Sequence, residues 1–219
     1  MPRLLELYSG TGSVGKVARE LGWDVVSFDN CPRYKPDFCR DILDFDFSLW
    51  PQGHFDLIWA SVPCEKFSVA PARGFTALQR AERAEAGCIL ARRTLEVLQW
   101  FQPTWWAIEN PLSSALWKQG IFEGPKVKVS YCKYGMKYRK NTIICSNIPF
   151  TGKVCKGDCG FIREVVDEAG KKHKYHLEVA KQGVSAHCKD LGVQCTTHRR
   201  DDLYVVPRLL IRDILEAAH

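Results

Sequence analysis

The chain has 219 residues, enough for one sizeable core with a small appendage and too few for two full domains. With 46% hydrophobic and 26% charged residues it is neither a disordered nor a low-complexity polymer. Its net charge of +6 is lopsided: residues 126–200 hold 16 Lys and Arg against 6 Asp and Glu, and the remainder holds 15 against 19. Clustered cations of this kind suit a phosphate backbone, although a solvated basic face would give the same count.

Leu4 to Tyr8 reads as a short buried strand that runs into Ser9-Gly10-Thr11-Gly12-Ser13-Val14-Gly15 and then a helix from Lys16 to Leu21, ended by Gly22. A strand, a Gly-x-Gly-x-x-Gly turn and a helix let a ligand approach the backbone at a helix N-terminus. The next strand, Trp23 to Phe28, ends at Asp29, placed to accept hydrogen bonds from a ribose; NAD or an adenosyl cofactor would be served equally. Asp41-Ile42 follows a short segment and could meet an adenine edge, or Asp41 could simply cap a turn.

The strand Phe55 to Ala60 stops at Ser61-Val62-Pro63-Cys64-Glu65-Lys66-Phe67-Ser68, which puts a thiol on the loop leaving a strand's carboxyl end. Cys64 is a candidate nucleophile, with Lys66 as a cation that could favour its thiolate; the alternative is one more small buried hydrophobe. A helix is expected from Thr76 to Phe101, stopped by Pro103, followed by the strand Thr104 to Ile108 that delivers Glu109-Asn110-Pro111. A thiol and a carboxyl group at two strand ends of one sheet can converge on one ligand. Lys126 to Tyr131 and Thr142 to Cys145, either side of the turn at Tyr134-Gly135, should form an antiparallel edge. Between Asn147 and Asp202 periodicity fails, which marks a small irregular lobe, and Pro207 opens a last helix, Arg208 to Ala218.

Taken together, these residues resemble the S-adenosylmethionine-dependent cytosine-C5 methyltransferases. The likeness runs in the family's order from Glu6-Leu7-Tyr8-Ser9-Gly10-Thr11-Gly12 through Asp29, Asp41-Ile42, Pro63-Cys64-Glu65-Lys66-Phe67-Ser68, Glu109-Asn110 and the Tyr134-Gly135 turn, with Val206-Pro207 resembling the last motif, which closes the cofactor pocket. It implies a Rossmann-like α/β methyltransferase sheet with helices on both faces plus a small basic lobe. The expected division is a catalytic domain at 1–147, a reduced target-recognition lobe at 148–202 and a C-terminal helix at 203–219 packing back on the first.

By that resemblance Cys64 would add to C6 of a flipped cytosine in DNA and Glu109 would hold the base. Tyr8, Ser9, Gly10, Thr11, Gly12, Ser13, Asp29, Asn30, Asp41, Ile42 and Pro63 would bind the cofactor, and Phe67, Ser68, Asn110, Arg139 and Lys140 the substrate. The loop from Glu65 to Gly74 would be the lid. The family's Gln-x-Arg-x-Arg is here Tyr138-x-Lys140-x-Thr142, so the contact to the cytosine O2 falls to Arg139 or Lys140. The recognition region is short, which leaves specificity relaxed or supplied by a partner of an otherwise monomeric chain. An RNA cytosine, an NAD-dependent oxidoreduction and a non-catalytic nucleic-acid binder are the rival readings.

Strand-like sequence begins at Arg3, leaving no room for a leader peptide, and Arg92 and Arg93 interrupt the one long apolar helix, so an intracellular, soluble protein away from membranes is expected. Its ten cysteines lack a regular framework and should be reduced thiols. Cys155, Cys159, His173 and His176 could hold zinc, but their spacing is not that of a standard finger and no metal is assigned to them. Lys171-Lys172-His173-Lys174 and His198-Arg199-Arg200 suit phosphates or a solvated surface equally.

Overall fold

The structure is a computed structural model that describes residues 1–67, 75–167, 169–179, 196–197 and 200–218. Seven strands form one sheet: β1 (Arg3–Leu7), β2 (Asp24–Asp29), β3 (Phe38–Cys39), β4 (Leu57–Ala60), β5 (Trp105–Pro111), β6 (Lys126–Ser130) and β7 (Asn141–Ser146). Their order is β3-β2-β1-β4-β5-β7-β6, and β7 alone runs against its neighbours. The expected β6–β7 pair does lie at the sheet edge, with β7 on the inside.

β1 and β4 lie near the centre and are buried on both sides, as parallel strands covered on two faces must be, with Glu6 the one charged residue buried on them. Leu4 points into one core layer, with α1 (Ser13–Glu20) and the C-terminal helix α4 (Arg208–Ala217), which follows the short α3 (Arg200–Tyr204); Leu210, Ile211, Ile214 and Leu215 supply the buried stripe of α4. Leu5 and Leu7 point into the other, with Ile58, Ile108 and the second half of α2 (Ala77–Phe101). Each fully buried aliphatic side chain contributes about 1.5–3 kcal/mol.

Local signals set the helix ends. Thr76 and Gln79 form a capping box at the start of α2, and Gln102, at φ 48°, ends it before Pro103. No helix among the described residues is long and apolar enough to cross a membrane. The lobe differs from its sequence reading: β8 (Ile162–Val166) and β9 (Lys172–His176) pair as an antiparallel hairpin. No residue on either strand is buried, and Ile162-Arg163-Glu164-Val165-Val166 does not alternate, so the hydrophobic pattern that would announce them is missing.

Candidate active site

β1, β2 and β4 all end on the same side of the sheet, and chain order reverses between β1 and β4, the place where open α/β sheets take ligands. Two adjoining cavities open there and share Tyr8, Asp29, Asn30 and Pro63.

The glycine turn is built around Glu6. Its carboxylate is 2% exposed and accepts from the backbone N–H groups of Val14 (3.2 Å) and Gly15 (2.9 Å), the start of α1, whose N-cap Gly12 offers no side chain. A Cβ at Gly15 would lie 2.6 Å from the Glu6 Oε2, so the third glycine makes room for this carboxylate rather than for a ligand. Burial pushes the Glu6 carboxyl up to about 7 against the pull of those two amides. A carboxylate occupying the helix N-terminus takes the place a dinucleotide's diphosphate would need, which removes the main support for an NAD reading.

Asp29 holds the turn from the other side. Its Oδ2 accepts from the Gly10 N–H and its Oδ1 from the Cys31 N–H, both at 2.8 Å, leaving lone pairs toward the cavity. Tyr8 carries a left-handed backbone (φ 55°), held there by its hydroxyl against the Leu90 carbonyl (3.1 Å) and Thr94 Oγ1 (2.9 Å) on α2. Ser9, Thr11 and Ser13 line the cavity, Thr11 Oγ1 being buried and without a partner among the described residues. Val206 donates its N–H to Ser13 Oγ (3.2 Å) and lines the same cavity, just before α4. The neighbouring cavity, ≈ 320 Å³, has apolar walls at Ile42, Ile89 and Leu90 and the Asp41 carboxylate at its rim, a shape and polarity suited to adenine. Asp41 also caps the turn behind it through Leu43 N–H (3.0 Å).

Cys64, Glu109 and Lys140 line one cavity beside the glycine turn. Pro63 precedes a 3₁₀ turn, Cys64–Lys66, that aims the thiol inward. Burial raises the thiol to about 11, opposed by the Lys140 cation and reinforced by the Glu109 and Glu65 charges. Lys140 is thus the leading cation acting on this sulfur, and Lys66 lines the neighbouring cavity. Glu109 is 7% exposed, accepts from the Tyr131 hydroxyl (3.0 Å) and lies 3.9 Å from the Lys140 Nζ. Lys140 also donates to the Leu203 carbonyl (3.0 Å).

Three expected substrate contacts take other places. Phe67 is 1% exposed in the core beneath Gly87, where a Cβ would come within 2.7 Å of its ring. Asn110 is fully buried and its Nδ2 donates to the Val62 carbonyl (2.7 Å), tying the end of β5 to the loop that carries Cys64. Arg139 is exposed on Asn141 Oδ1 (3.2 Å), outside the cavity, so of the two candidate cations Lys140 is the one at the site. Ser68 lies outside the described residues, as do most of the lid and His198-Arg199. Sequence reasoning missed Tyr131, Tyr34 and Tyr204. The last two line the cavity, and Arg33 (2.8 Å) and the Tyr34 hydroxyl (2.9 Å) both meet Asp201. An aromatic beside a motif carries no sequence signal of its own.

No family model matches the chain. Over 166 residues it is 36% identical to the "Probable DNA (cytosine-5)-methyltransferase" of Frog virus 3 (isolate Goorha), an alignment covering 71% of this chain and 75% of that protein. Among solved structures, the methyltransferase EhMeth of Entamoeba histolytica matches with a TM-score of 0.50 at 14% identity, over 71% of this chain and 56% of that one. A putative DNA modification methyltransferase encoded within an E. coli prophage matches with a TM-score of 0.49 at 16% identity, over 67% and 46%. The chain thus spans about half the length of these solved structures. EhMeth supports the methyltransferase fold, and the extent and identity of the viral match settle the family: the chain belongs to the DNA cytosine-5 methyltransferases.

Proposed function

We propose that the protein transfers a methyl group from S-adenosylmethionine to C5 of a cytosine in DNA, with Cys64 as nucleophile and Glu109 as the group that grips the base. The observation that carries this reading is the meeting of the Cys64 thiol, the Glu109 carboxylate and the Lys140 ammonium in the cavity that adjoins the glycine turn.

The residues fit the cofactor. Asp29 can take ribose hydroxyls, Asp41, Ile42 and Pro63 can hold adenine, and the orphaned Thr11 hydroxyl with Ser9, Gly10 and Ser13 can hold the amino-acid end. When bound, the cofactor supplies an electrophilic methyl group on a sulfonium.

The cytosine ring must first be activated because its C5 is a poor nucleophile. Cys64 gives up its proton and forms a bond to C6, which moves an electron pair onto C5. Lys140 would favour the thiolate and bind the O2 of the base, while Glu109, oriented by Tyr131, would accept from the exocyclic amine and share a proton with N3. After C5 is methylated, loss of the C5 proton and rupture of the S–C6 bond return the thiolate and restore the ring. C5 and C6 are out of reach in a stacked duplex, so the base must be flipped out to enter the cavity. Residues 148–202, with exposed Lys171, Lys172 and Lys174, are proposed as the reduced recognition lobe that meets the phosphates.

Labelled methyl transfer from S-adenosylmethionine to a random duplex DNA and to a mixed RNA tests this directly. Label on DNA that sequencing locates at cytosine C5 is expected. Label on RNA alone would reassign the substrate, and label on neither would support a non-catalytic binder.

A further inference from the structure

Cys132, Cys155, Cys159 and His176 lie outside the methyl-transfer cavity. One ligand atom from each falls within 4.8 Å of all the others. They come from three separate pieces of chain: the 3₁₀ turn Tyr131–Tyr134 after β6, the loop Cys155-Lys156-Gly157-Asp158-Cys159, and the last residue of β9. We propose that these four side chains bind one zinc ion, in a structural site that fastens the β8–β9 hairpin to the edge of the catalytic sheet.

The spacings fit. Tetrahedral zinc with bonds of about 2.3 Å to sulfur and 2.0–2.1 Å to nitrogen separates a sulfur from a nitrogen by roughly 3.6 Å. The His176 Nε2 lies 3.7 Å from Cys155 Sγ and 3.3 Å from Cys159 Sγ. The loop is also shaped for a thiolate: the Gly157 N–H, at a residue with φ 85°, points at Cys155 Sγ (3.4 Å). Such N–H···S bonds spread the charge of a metal-bound sulfur. The neighbourhood keeps these pieces in register: Cys155 N–H bonds Ser130 Oγ (3.1 Å) and Lys133 Nζ bonds Asp158 (3.0 Å).

His173, the fourth ligand one would choose from sequence spacing, is engaged elsewhere, its Nε2 2.7 Å from the Asp167 carboxylate. Cys132 takes its place from far up the chain. Three thiolates and one imidazole fill all four positions, so the ion would hold structure and leave no open site for chemistry. The lobe needs such a fastening: among the described residues between 148 and 202, only Ile148 and Cys155 are buried hydrophobics, too few to hold a hairpin by apolar packing. This inference does not depend on the methyl-transfer reading, and neither does its test.

The full chain, purified under reducing conditions, is assayed for metal by plasma mass spectrometry. It is then stripped and titrated with zinc or cobalt against a chromophoric chelator. About one zinc per chain is expected, with a tetrahedral cobalt spectrum carrying thiolate charge-transfer bands. Cys159→Ser and His176→Ala should drop below about a fifth of that content and His173→Ala should keep it. His176→Cys supplies a fourth thiolate and should restore binding, which separates ligand loss from misfolding. The proposal is overturned by a disulfide between two of the three cysteines in the purified chain or by zinc binding no tighter than micromolar. It is equally overturned if Cys159→Ser and His176→Ala retain full metal content.

Discussion

Leu5, Ile58 and Ile108, on three strands of the sheet, are fully buried, whereas no residue on β8 or β9 is buried and Val166 remains 56% exposed. Burial on both faces fixes the ends of β1, β4 and β5 to within a side chain's reach, and those ends carry the glycine turn, Cys64 and Glu109. The hairpin instead is held by backbone pairing and by polar contacts such as those of His176 with Cys155 and Cys159. One half of the molecule thus positions chemistry by apolar packing and the other positions cations by discrete links. Substitutions in the two should fail in different ways.

The largest effect belongs to the sulfur. Cys64→Ser should lower the rate of methyl transfer roughly a thousandfold or more in a single-turnover assay while leaving the melting temperature within a degree or two. Glu109→Gln keeps the shape and the Tyr131 contact but cannot share a proton with N3 of the activated base, so a loss of about 10²–10³-fold in kcat is expected with little change in KM for DNA. Stability separates the two halves directly: Leu210→Ala, fully buried on α4, should destabilise by about 2–5 kcal/mol in urea, and Val166→Ala by less than about 0.5 kcal/mol.

Smaller effects read the electrostatics of the cavity. Because burial holds the Cys64 thiol up at about 11, only a small fraction is thiolate near neutrality. The kcat/KM should therefore rise about tenfold per pH unit between roughly pH 7 and 9. Lys140→Met removes the cation that opposes this shift and should lower kcat/KM about tenfold at pH 8 while moving the rise to higher pH. A flat profile in the wild type would break the link between thiol burial and rate.

The smallest effect is a slope. Glu6 has its carboxyl raised in the folded state to about 7, above its unfolded value, so the folded chain binds the extra proton between those two values. Its contribution to stability is present at low pH and lost as pH rises through about 7. Melting temperature should decline across that window, and the decline should vanish in Glu6→Gln whatever the absolute stability of that variant.

The same contrast explains what could be read from the chain alone. Strand ends were legible because fully buried runs such as Leu57-Ile58-Trp59-Ala60 stop abruptly at motif residues, and the family's order then names Cys64, Asp29 and Glu109. Phe67 and Asn110 belong to the same motifs but support the loop instead of touching the cavity, and a motif does not distinguish a contact from its support. Arg139 and Lys140 are adjacent, so only the register in which β7 begins tells which one faces Glu109. The hairpin carries no strand signal because neither of its strands buries a face and β8 lacks period-2 alternation. Cys132 escaped notice because its partners Cys155, Cys159 and His176 are near it in space and far from it in sequence.

Methyl transfer by this route requires a bond between the sulfur of Cys64 and C6 of a cytosine. The measurement is to incubate the full chain with S-adenosylmethionine and duplex DNA containing 5-fluorodeoxycytidine, then map the adduct by peptide mass spectrometry. The fluorine blocks proton loss from C5, so a stable covalent complex on the peptide carrying Cys64 is predicted, and none with Cys64→Ser. Methyl transfer to ordinary DNA without any trapped complex, or a complex through another residue, would contradict it.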